Sequence, residues 1–445
     1  MGHSIEWSKA YVGRVCDCGG ESNTDIVTTH SARLHKEVEE GTLPFLSMPY
    51  RGRFEEDMQK VLPLTTQYKH MLLLGIGGSA LGCRAIQTAF APSQNLPNHT
   101  GPSVWVADNV CAEQFEALLG RLNPKETVVV CISKSGGTIE TISQYFLVKD
   151  WLKEALGDAW QKQMIVITDA AKGYLREEAT HFSLSSMEVP DYLGGRYSAL
   201  SAVGLLPAAY LGIDWRALLD GASSVAQSIL QCDCLADHPS YRLANWANTL
   251  MRHGYSQLIF FCYIPQWAMY GPWFAQLWAE SLGKGFLGSQ PIPATGVTDQ
   301  HSINQMFLDG QRDKGCLFLT SKKQVPGRNF GQDLPEKWAW LRGKPFGSLL
   351  EAESLGTCMA LCKTTTPLVA VAMEDTSERS AGALMMLLEA ATVFTGWLMG
   401  INPLDQPAVE LGKRLANKRL GAPGYPEEEA DLKAFLEAPH REQSF

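Results

Sequence analysis

The segment 127–144, TVVVCISKSGGTIETISQ, most constrains what this chain can fold into. Residues 128–132 are apolar and mostly β-branched, which is typical of a strand buried on both faces. A loop of hydroxyls and glycines follows at 133–138, and apolar residues then recur at helical spacing. A strand, a loop and a helix start in this order direct backbone N–H groups and the positive end of a helix dipole at one point. The segment therefore predicts a phosphate site, and an ordinary serine or threonine helix cap is the alternative.

Apolar runs of this kind recur along the chain and alternate with helical patterns. They lie at 71–74, 104–108, 127–133 and 164–169, and again at 257–264, 316–320 and 367–373. Strands that alternate with helices form βαβ units and parallel sheets. The sequence therefore predicts two doubly wound α/β domains, at about 60–225 and 255–400. We expect a helical lead-in at 1–60, a helical bridge at 226–254 and a C-terminal arm with a helix at 401–445.

The overall charge limits the partners that the chain can bind. Its 445 residues carry a net charge of −9, with 19% charged and 45% hydrophobic residues. This composition is typical of a globular protein, and the acidic balance argues against nucleic acid or an anionic membrane surface as a main partner. A small anionic substrate is still compatible with it, because a local cluster of donors can outweigh a weak overall field.

The eleven cysteines are scattered and odd in number, which indicates reduced thiols in a cytoplasm and not a disulfide framework. Two C-D-C pairs, Cys16 with Cys18 and Cys232 with Cys234, raise the alternative of a zinc site. Zinc sites prefer the wider C-x2-C spacing and nearby histidines. We therefore expect no metal at either pair.

One segment, 380–400, is nearly long and apolar enough to cross a membrane. Glu389 lies at its centre, and alanine, threonine and glycine are frequent around it. A helix buried inside a large core accounts for this pattern at lower cost than a membrane span does. The first fifteen residues also lack the apolar run of a secretory signal, so we expect a cytoplasmic protein.

The segment 75–82, GIGGSALG, ends the first predicted strand and opens a helix. It partly matches the dinucleotide-binding pattern, and Asp108 at the end of a later strand could bind a ribose. The additional glycine, Gly78, and the hydroxyl of Ser79 suit a single phosphate or a sugar oxygen equally well. Both interpretations stay open on this segment alone.

A predicted helix at 273–284 carries two polar residues within an apolar stripe. Gln276 and Glu280 are four residues apart, so they share one helical face. Trp273 and Trp278 flank the carboxylate, and such surroundings disfavour its charged form and suit a general base. The alternative is a solvated glutamate on the outer face of the helix.

Three further residues could take part in chemistry. Arg196 follows two glycines and precedes an apolar helix, where its permanent cation could hold developing negative charge or form a simple ion pair. His301 lies in a polar loop, and histidine both donates and accepts protons near neutrality. Lys413 ends an apolar turn, where an ordinary surface lysine is equally compatible with the pattern.

Six sequence blocks, taken together, closely resemble the glucose-6-phosphate isomerase family in its bacterial length. In chain order they are GIGGSALG (75–82), SKSGGTIET (133–141), GGRYSALSAVGLLP (194–207), QLWAESLGK (276–284), TDQHS (298–302) and DQPAVELGK (405–413). Each block is modest evidence, but six in the family's order cover the chain from about 70 to 420.

The resemblance implies two sugar-isomerase-type, flavodoxin-like domains, a helical C-terminal arm, and a homodimer. It implies interconversion of glucose 6-phosphate and fructose 6-phosphate in glycolysis and gluconeogenesis, without metal or cofactor. In the family, the histidine matched by His301 enters from the neighbouring subunit and opens the sugar ring with Lys413. Glu280 matches the base that moves a proton between C2 and C1 through a cis-enediolate, which Arg196 would stabilise. The residues implied to bind the sugar and phosphate are Gly78, Ser79, Ser133, Lys134, Ser135, Thr138 and Gln276.

Two other classes of protein stay in competition. An NAD-dependent oxidoreductase could be built on GIGGSA, although it would not account for the six blocks. A sugar-phosphate sensor could use the same fold without turnover, but it would not need Glu280, His301 and Lys413, and all three are present. The sequence therefore favours the enzyme.

Overall fold

The computed structural model describes residues 2–13, 15, 24–47 and 52–438, and within them the chain forms two five-stranded sheets. The first sheet is entirely parallel and has the strand order β3-β2-β4-β5-β6. Its strands are β2 (His70–Leu74), β3 (Ser103–Ala107), β4 (Thr127–Ser133), β5 (Met164–Thr168) and β6 (Ser185–Glu188). Cys16, Cys18 and the tail residues 439–445 lie outside the described residues.

The second sheet repeats the order of the first four strands, β2 to β5, and has an antiparallel strand in place of the fifth. Its order is β1-β10-β9-β7-β8, so the parallel strands from β7 onward are arranged as β2 to β5 are in the first sheet. Its strands are β1 (Ser4–Glu6), β7 (Gln257–Cys262), β8 (Gln290–Thr295), β9 (Lys314–Ser321) and β10 (Leu368–Met373).

Helices cover the faces of both sheets and form the C-terminal arm. Their bounds are α1 Thr24–Glu39, α2 Pro44–Ser47, α3 Gly52–Thr65, α4 Leu81–Phe90, α5 Ala112–Arg121, α6 Ile139–Leu156, α7 Tyr174–His181, α8 Ala202–Tyr210, α9 Trp215–Gln231, α10 Pro239–Arg252, α11 Tyr270–Leu282, α12 Asn304–Asp309, α13 Gly347–Lys363, α14 Glu378–Leu398, α15 Glu410–Arg419 and α16 Pro426–Glu437. The two parallel-sheet α/β units and the helical arm confirm the predicted fold class. The predicted domain limits themselves stay predictions.

The sequence predicts every interior strand of both sheets and the edge strand β3, and the three strands that it misses, β1, β6 and β8, are all edge strands. Every residue of β4 is buried, as the apolar run indicates. The missed strand β8 contains two prolines, which an edge strand tolerates because one row of its N–H groups has no partner strand. The predicted helical lead-in at 1–60 is also partly wrong, because Ser4–Glu6 pairs with β10 along the other edge of the sheet.

Helix α14 is the one helix in the described part of the chain that is long and apolar enough to span a membrane, and 89% of its apolar window is buried in the protein. It packs against α9, α10 and α11. Glycines permit the contact with α9: a Cβ on Gly382 would lie 1.9 Å from the Leu218 carbonyl oxygen. The prediction of a core helix agrees with this packing.

Glu389 lies in the buried centre of α14, and burial raises the pKa of its carboxyl well above the usual value. Neither carboxyl oxygen has a hydrogen-bond partner among the described residues. A charge at this position would be costly without a counter-ion. Burial without a counter-ion or a hydrogen-bond partner therefore favours the protonated, neutral form of Glu389 in the folded protein.

We expect Glu389→Gln to remove a pH dependence from the stability of the protein. Above the ordinary glutamate pKa of 4.5, the unfolded chain releases this proton and the folded chain keeps it, so the free energy of unfolding falls as pH rises. The slope from one such group is up to about 1.4 kcal/mol per pH unit. Denaturant titrations of both proteins from pH 5 to 7.5 measure the difference. Glu351→Gln, which removes an exposed carboxylate, is the control, and parallel curves for wild type and Glu389→Gln would show that Glu389 is charged.

Candidate active site

A cleft of about 860 Å³ opens at the carboxyl edge of the first sheet. The loops that follow β2 and β4 form one wall, and α11 and the C-terminal arm form the others. The strand order reverses between β2 and β4, because the chain adds β3 on one side of β2 and the later strands on the other. Open α/β sheets bind ligands at the carboxyl edge beside such a switch point. The predicted site residues that line the cleft are Gly78, Ser79, Lys134, Ser135, Thr138, Arg196, Gln276, Glu280 and Lys413.

The loop after β4 forms a cradle of hydroxyls in front of α6. The Thr138 hydroxyl lies 3.0 Å from that of Ser133 and 3.4 Å from that of Ser135. Thr138 is the N-cap of α6, but among the described residues its side chain makes no capping hydrogen bond to the helix backbone. The hydroxyls bond to one another, which leaves the first N–H groups of α6 available to an anion. This arrangement favours the phosphate site over the ordinary helix cap.

Two predicted members of the cradle have distinct environments. Ser133 is buried behind the other hydroxyls and does not line the cleft, so it supports Thr138 from behind. Lys134 lines the cleft, and partial burial lowers the pKa of its ammonium, against the opposing effect of Asp191 and Asp169. A phosphate beside Lys134 would replace the lost hydration of this cation.

The turn after β2 packs directly on the loop that carries Arg196. Gly77 has a φ of +57°, in the left-handed region that glycine adopts without strain. A Cβ on Gly78 would lie 2.2 Å from the backbone carbonyl carbon of Gly195 and 2.7 Å from the Arg196 nitrogen. Glycine at position 78 is therefore required by a backbone-to-backbone contact that places the two motifs side by side.

Arg196 is only 2% exposed, and hydrogen bonds engage its entire guanidinium group. Nε donates to the Ser281 hydroxyl at 2.7 Å. Nη1 donates to Gln406 Oε1 at 2.8 Å and to Glu280 Oε2 at 3.3 Å. Nη2 donates to the backbone carbonyls of Pro403 at 2.7 Å and Asp405 at 3.0 Å. The cation thus joins α11 to the start of the C-terminal arm at the floor of the cleft.

Glu280 faces the cleft from α11, and its side chain is 31% exposed. Its Oε1 accepts a hydrogen bond of 2.8 Å from Gln276 Nε2, one helical turn earlier, as the shared helical face predicts. Trp273 and Trp278 are buried in the core, and the polar contacts of the carboxylate are with Gln276 and Arg196. Gln276 Oε1 is buried and lacks a partner among the described residues.

Lys413 and His301 differ in where the single chain places them. Lys413 lies on α15, lines the cleft, and pairs with Glu410 at 2.8 Å while half exposed. His301 ends a 3-10 turn, Thr298–His301, after β8 of the second sheet, where it is exposed and does not line the cleft. The chain therefore brings Lys413 to the other site residues and leaves His301 apart from them.

Two other sequence features are clarified by the structure. Asp108, considered for a ribose, is engaged by Arg84, whose Nε and Nη2 donate to its two oxygens at 2.6 and 2.8 Å. The structure thus gives Asp108 a structural partner and weakens the dinucleotide interpretation. Gln406, by contrast, is a cleft residue that sequence reasoning missed. It lies in the block 405–413, from which Lys413 alone was singled out as a candidate.

The cysteine pair that lies within the described residues, Cys232 and Cys234, consists of free thiols. The Cys232 thiol donates to the Ile229 carbonyl of its own helix. The described residues contain no group of three or more histidine, cysteine, aspartate or glutamate side chains arranged for a metal ion.

Comparison with known sequences connects this cleft to one family. The family model described as phosphoglucose isomerase matches residues 64–321. A glucose-6-phosphate isomerase of Rubrobacter xylanophilus is 37% identical over 369 residues, which cover 81% of this chain and 84% of that protein. One of Carboxydothermus hydrogenoformans is 33% identical and covers 93% of this chain and 92% of its own.

Solved structures share the same architecture. A hypothetical protein of Thermus thermophilus superposes with a TM-score of 0.83 and 32% identity, over 91% of this chain and 97% of that one. A glucose-6-phosphate isomerase of Chlamydia trachomatis superposes with a TM-score of 0.71 over 86% of this chain and 76% of that one. Its identity is 21%, so this second likeness concerns the fold alone.

We expect Gly78→Ala to destabilise the protein and to slow any reaction in the cleft. The added Cβ would force apart the backbone contact with Gly195, and overpacking of this kind costs about 1–3 kcal/mol. Denaturant unfolding measures the loss. Gly137→Ala is the matched control in the neighbouring loop, because its Cβ would meet nothing closer than 4.0 Å. Equal stability of the two variants would show that the contact between residues 78 and 195 does not constrain the site.

Proposed function

The chain belongs to the phosphoglucose isomerase family, and from this premise we propose how its side chains interconvert glucose 6-phosphate and fructose 6-phosphate. The protein is an enzyme that isomerises glucose 6-phosphate. The observation that carries the proposed mechanism is the convergence, in one cleft, of the hydroxyl cradle, Glu280 and Arg196. An anion site and a base beside a fixed cation are what an aldose–ketose isomerisation of a sugar phosphate requires.

The phosphate binds in the cradle between β4 and α6. Ser135 and Thr138 donate hydroxyl hydrogen bonds, Lys134 supplies a cation, and the N-terminal amides of α6 point at the same position. Gly78 and Ser79, in the neighbouring loop after β2, contact the sugar, and Gln276 orients it beside Glu280. The substrate is thereby anchored at its anionic end with its reacting carbons beside Glu280.

Glu280 transfers the proton. As a carboxylate it takes the proton from C2; the C–H electron pair forms the C1–C2 double bond and the C1 carbonyl pair moves onto O1, which gives the cis-enediolate. The proton then returns to C1, the hydroxyl proton of O2 passes to O1, and C2 becomes the carbonyl carbon of the ketose. The hydrogen bond from Gln276 holds Oε1 in place, and Oε2 lies 3.3 Å from Arg196 Nη1. One base that reaches both carbons therefore suffices, and the side chains alone perform the step.

Arg196 stabilises the enediolate. Its Nη1 donates to Gln406 at 2.8 Å and to Glu280 at 3.3 Å, and a substrate oxygen that replaces the longer of these two contacts would accept from it. Because the guanidinium is buried and held by fixed partners, it needs little reorganisation when negative charge develops. A well-placed donor of this kind contributes about 3–4 kcal/mol to a transition state.

Ring opening requires His301, which we propose is supplied by a second copy of the chain in a homodimer. In one chain His301 is exposed and separate from the cleft, whereas its proposed helper Lys413 lines it. Ile303 and Met306, which follow His301, also expose apolar surface of the kind that subunit contacts cover. The partner's histidine would protonate the ring oxygen, assisted by Lys413. A cytoplasmic location, inferred from the scattered cysteines, stays a prediction.

We expect Glu280→Gln to abolish the exchange of deuterium at C2 while phosphate-dependent binding persists. The amide keeps the shape and the Gln276 contact but cannot take the proton, so turnover should fall at least about 100-fold. Isomerase assays with EDTA present and no nucleotide added measure the rate, mass spectrometry measures the exchange, and calorimetry with inorganic phosphate measures binding. Exchange at the wild-type rate would remove Glu280 from its role. Binding without any turnover by the wild type would favour the sensor.

We expect two inactive variants to restore activity when they are mixed as subunits. In a hybrid of Glu280→Gln and His301→Ala chains, one site lacks both groups and the other has Glu280 of one chain with the histidine of the other. Random reassociation after mild denaturation makes half of the dimers hybrid, each with one intact site of two, so activity should reach about a quarter of wild type. A chain that carries both substitutions, mixed with Glu280→Gln, is the inactive control. No recovery in the first mixture would place His301 and Glu280 in the same subunit.

A further inference from the structure

We propose that Ser281 and Tyr197 are positioning residues that set the orientation of the Arg196 guanidinium toward the reacting carbons. This inference rests on the proposed isomerase function and deepens it. Neither residue lines the cleft, and neither would touch the substrate. Both act through Arg196.

The proposal starts from two pairs of adjacent residues that hold each other. Arg196 and Tyr197 are neighbours in the 3-10 turn Gly195–Tyr197, and Glu280 and Ser281 are neighbours on α11. Arg196 Nη1 donates to Glu280 at 3.3 Å, and Arg196 Nε donates to Ser281 Oγ at 2.7 Å. The Tyr197 hydroxyl lies 2.9 Å from the same Ser281 oxygen. Three contacts therefore fix the two segments relative to each other.

The hydrogen-bond partners of the guanidinium show what Ser281 contributes. Arginine has five N–H donors, and the other four go to Gln406, Glu280 and two backbone carbonyls of the arm. Among the described residues, Ser281 Oγ is the acceptor that the Nε–H finds, and it is fully buried. Without this oxygen, the Nε–H would be buried and unpaired unless the whole guanidinium rotated. Rotation would move Nη1 away from Glu280 and the enediolate position.

Tyr197 holds the serine hydroxyl in the orientation that this contact needs. A serine in a helix otherwise turns its hydroxyl toward the carbonyl of the preceding turn. The Tyr197 ring stacks on Phe45 with centroids 5.2 Å apart, which keeps the phenol in place. Burial raises the pKa of Tyr197 to about 12, so its hydroxyl keeps its proton throughout the working range. The phenol is therefore a permanent partner of Ser281.

The orientation matters most in the transition state. The substrate ground state is neutral at C1 and C2, and the enediolate is negative there. A misdirected guanidinium therefore weakens transition-state binding and leaves the binding of the phosphate end unchanged. A positioning role therefore predicts a larger loss of affinity for the transition state than for the ground state. A merely structural role would lower stability and affect the two affinities equally.

The experiment compares Ser281→Ala and Tyr197→Phe with wild type in the full-length enzyme. It measures kcat and KM, and it measures affinity for two probes. One probe is a five-carbon phosphorylated hydroxamate, which carries the planar negative charge of the enediolate. The other is a six-carbon phosphorylated polyol, which is neutral at C1 and C2. Thr395→Val is the control, because it removes an equally buried hydroxyl that bonds only to its own helix.

We expect Ser281→Ala to lower kcat and hydroxamate affinity in parallel, by about 10- to 100-fold, as for a lost hydrogen bond to a charged group. KM and polyol affinity should change less than about two-fold, since uniform binding is retained. Tyr197→Phe should produce the same pattern with a smaller loss. Because Tyr197 acts through Ser281, adding Tyr197→Phe to Ser281→Ala should cause almost no further loss. Thr395→Val should shift the melting temperature alone.

Several results would overturn the proposal. They are an unchanged kcat in a folded Ser281→Ala enzyme, equal losses of affinity for both probes, and full additivity of the two substitutions. If Ser281→Ala does not fold, the Tyr197→Phe enzyme decides: the proposal requires it to lose more affinity for the hydroxamate than for the polyol. If the wild type shows no turnover, the isomerase mechanism and this proposal are both rejected. If the wild type turns over but the variants lose equal affinity for the two probes, this proposal alone is rejected.

Discussion

The buried guanidinium of Arg196 is the interaction on which the rest of the site depends. It is almost inaccessible to solvent, yet it bonds to α11, to the start of the C-terminal arm and to the proposed base. A buried cation is stable only when every donor has a partner, and breaking one contact leaves an uncompensated charge. Catalysis and structural cohesion therefore rest on the same atoms. The permanence of the arginine charge matters here, since a lysine could neither fork between α11 and the arm nor saturate their acceptors.

The central part of the fold could be predicted because a strand that is buried on both faces consists of consecutive apolar residues. The strands β2, β4 and β7 are continuous apolar runs, and nothing else of their length explains such runs as well. The edge strands β1, β6 and β8 were not predictable by the same argument, whereas the edge strand β3 keeps an apolar run. Three of the four residues of β6 are polar and not buried, the residues of β8 include prolines, and β1 is three residues long. Their strand state comes from a neighbouring strand that the local sequence does not contain.

In the site, too, contacts between residues close in sequence could be predicted, and contacts between residues far apart in the chain could not. The cradle of 133–138 and the pair Gln276 and Glu280 could be predicted because neighbours in sequence are neighbours in space. The contacts that depend on tertiary folding could not. Gln406 reaches Arg196 across 210 positions of the chain, and Asp108, which follows β3, is bound by Arg84 of α4. The family resemblance connected the blocks to one another, and the structure supplied the distances between them.

The contact between Gly78 and Gly195 has a consequence for anyone who wishes to redesign this pocket. Because there is no volume for a methyl group between these two backbones, the floor cannot be diversified one residue at a time. The rim is different: Tyr192 and Val409 line the cleft with much of their surface exposed. A mutant library that randomises the rim and leaves the floor intact would therefore explore new sugar phosphates without losing most of its members to misfolding.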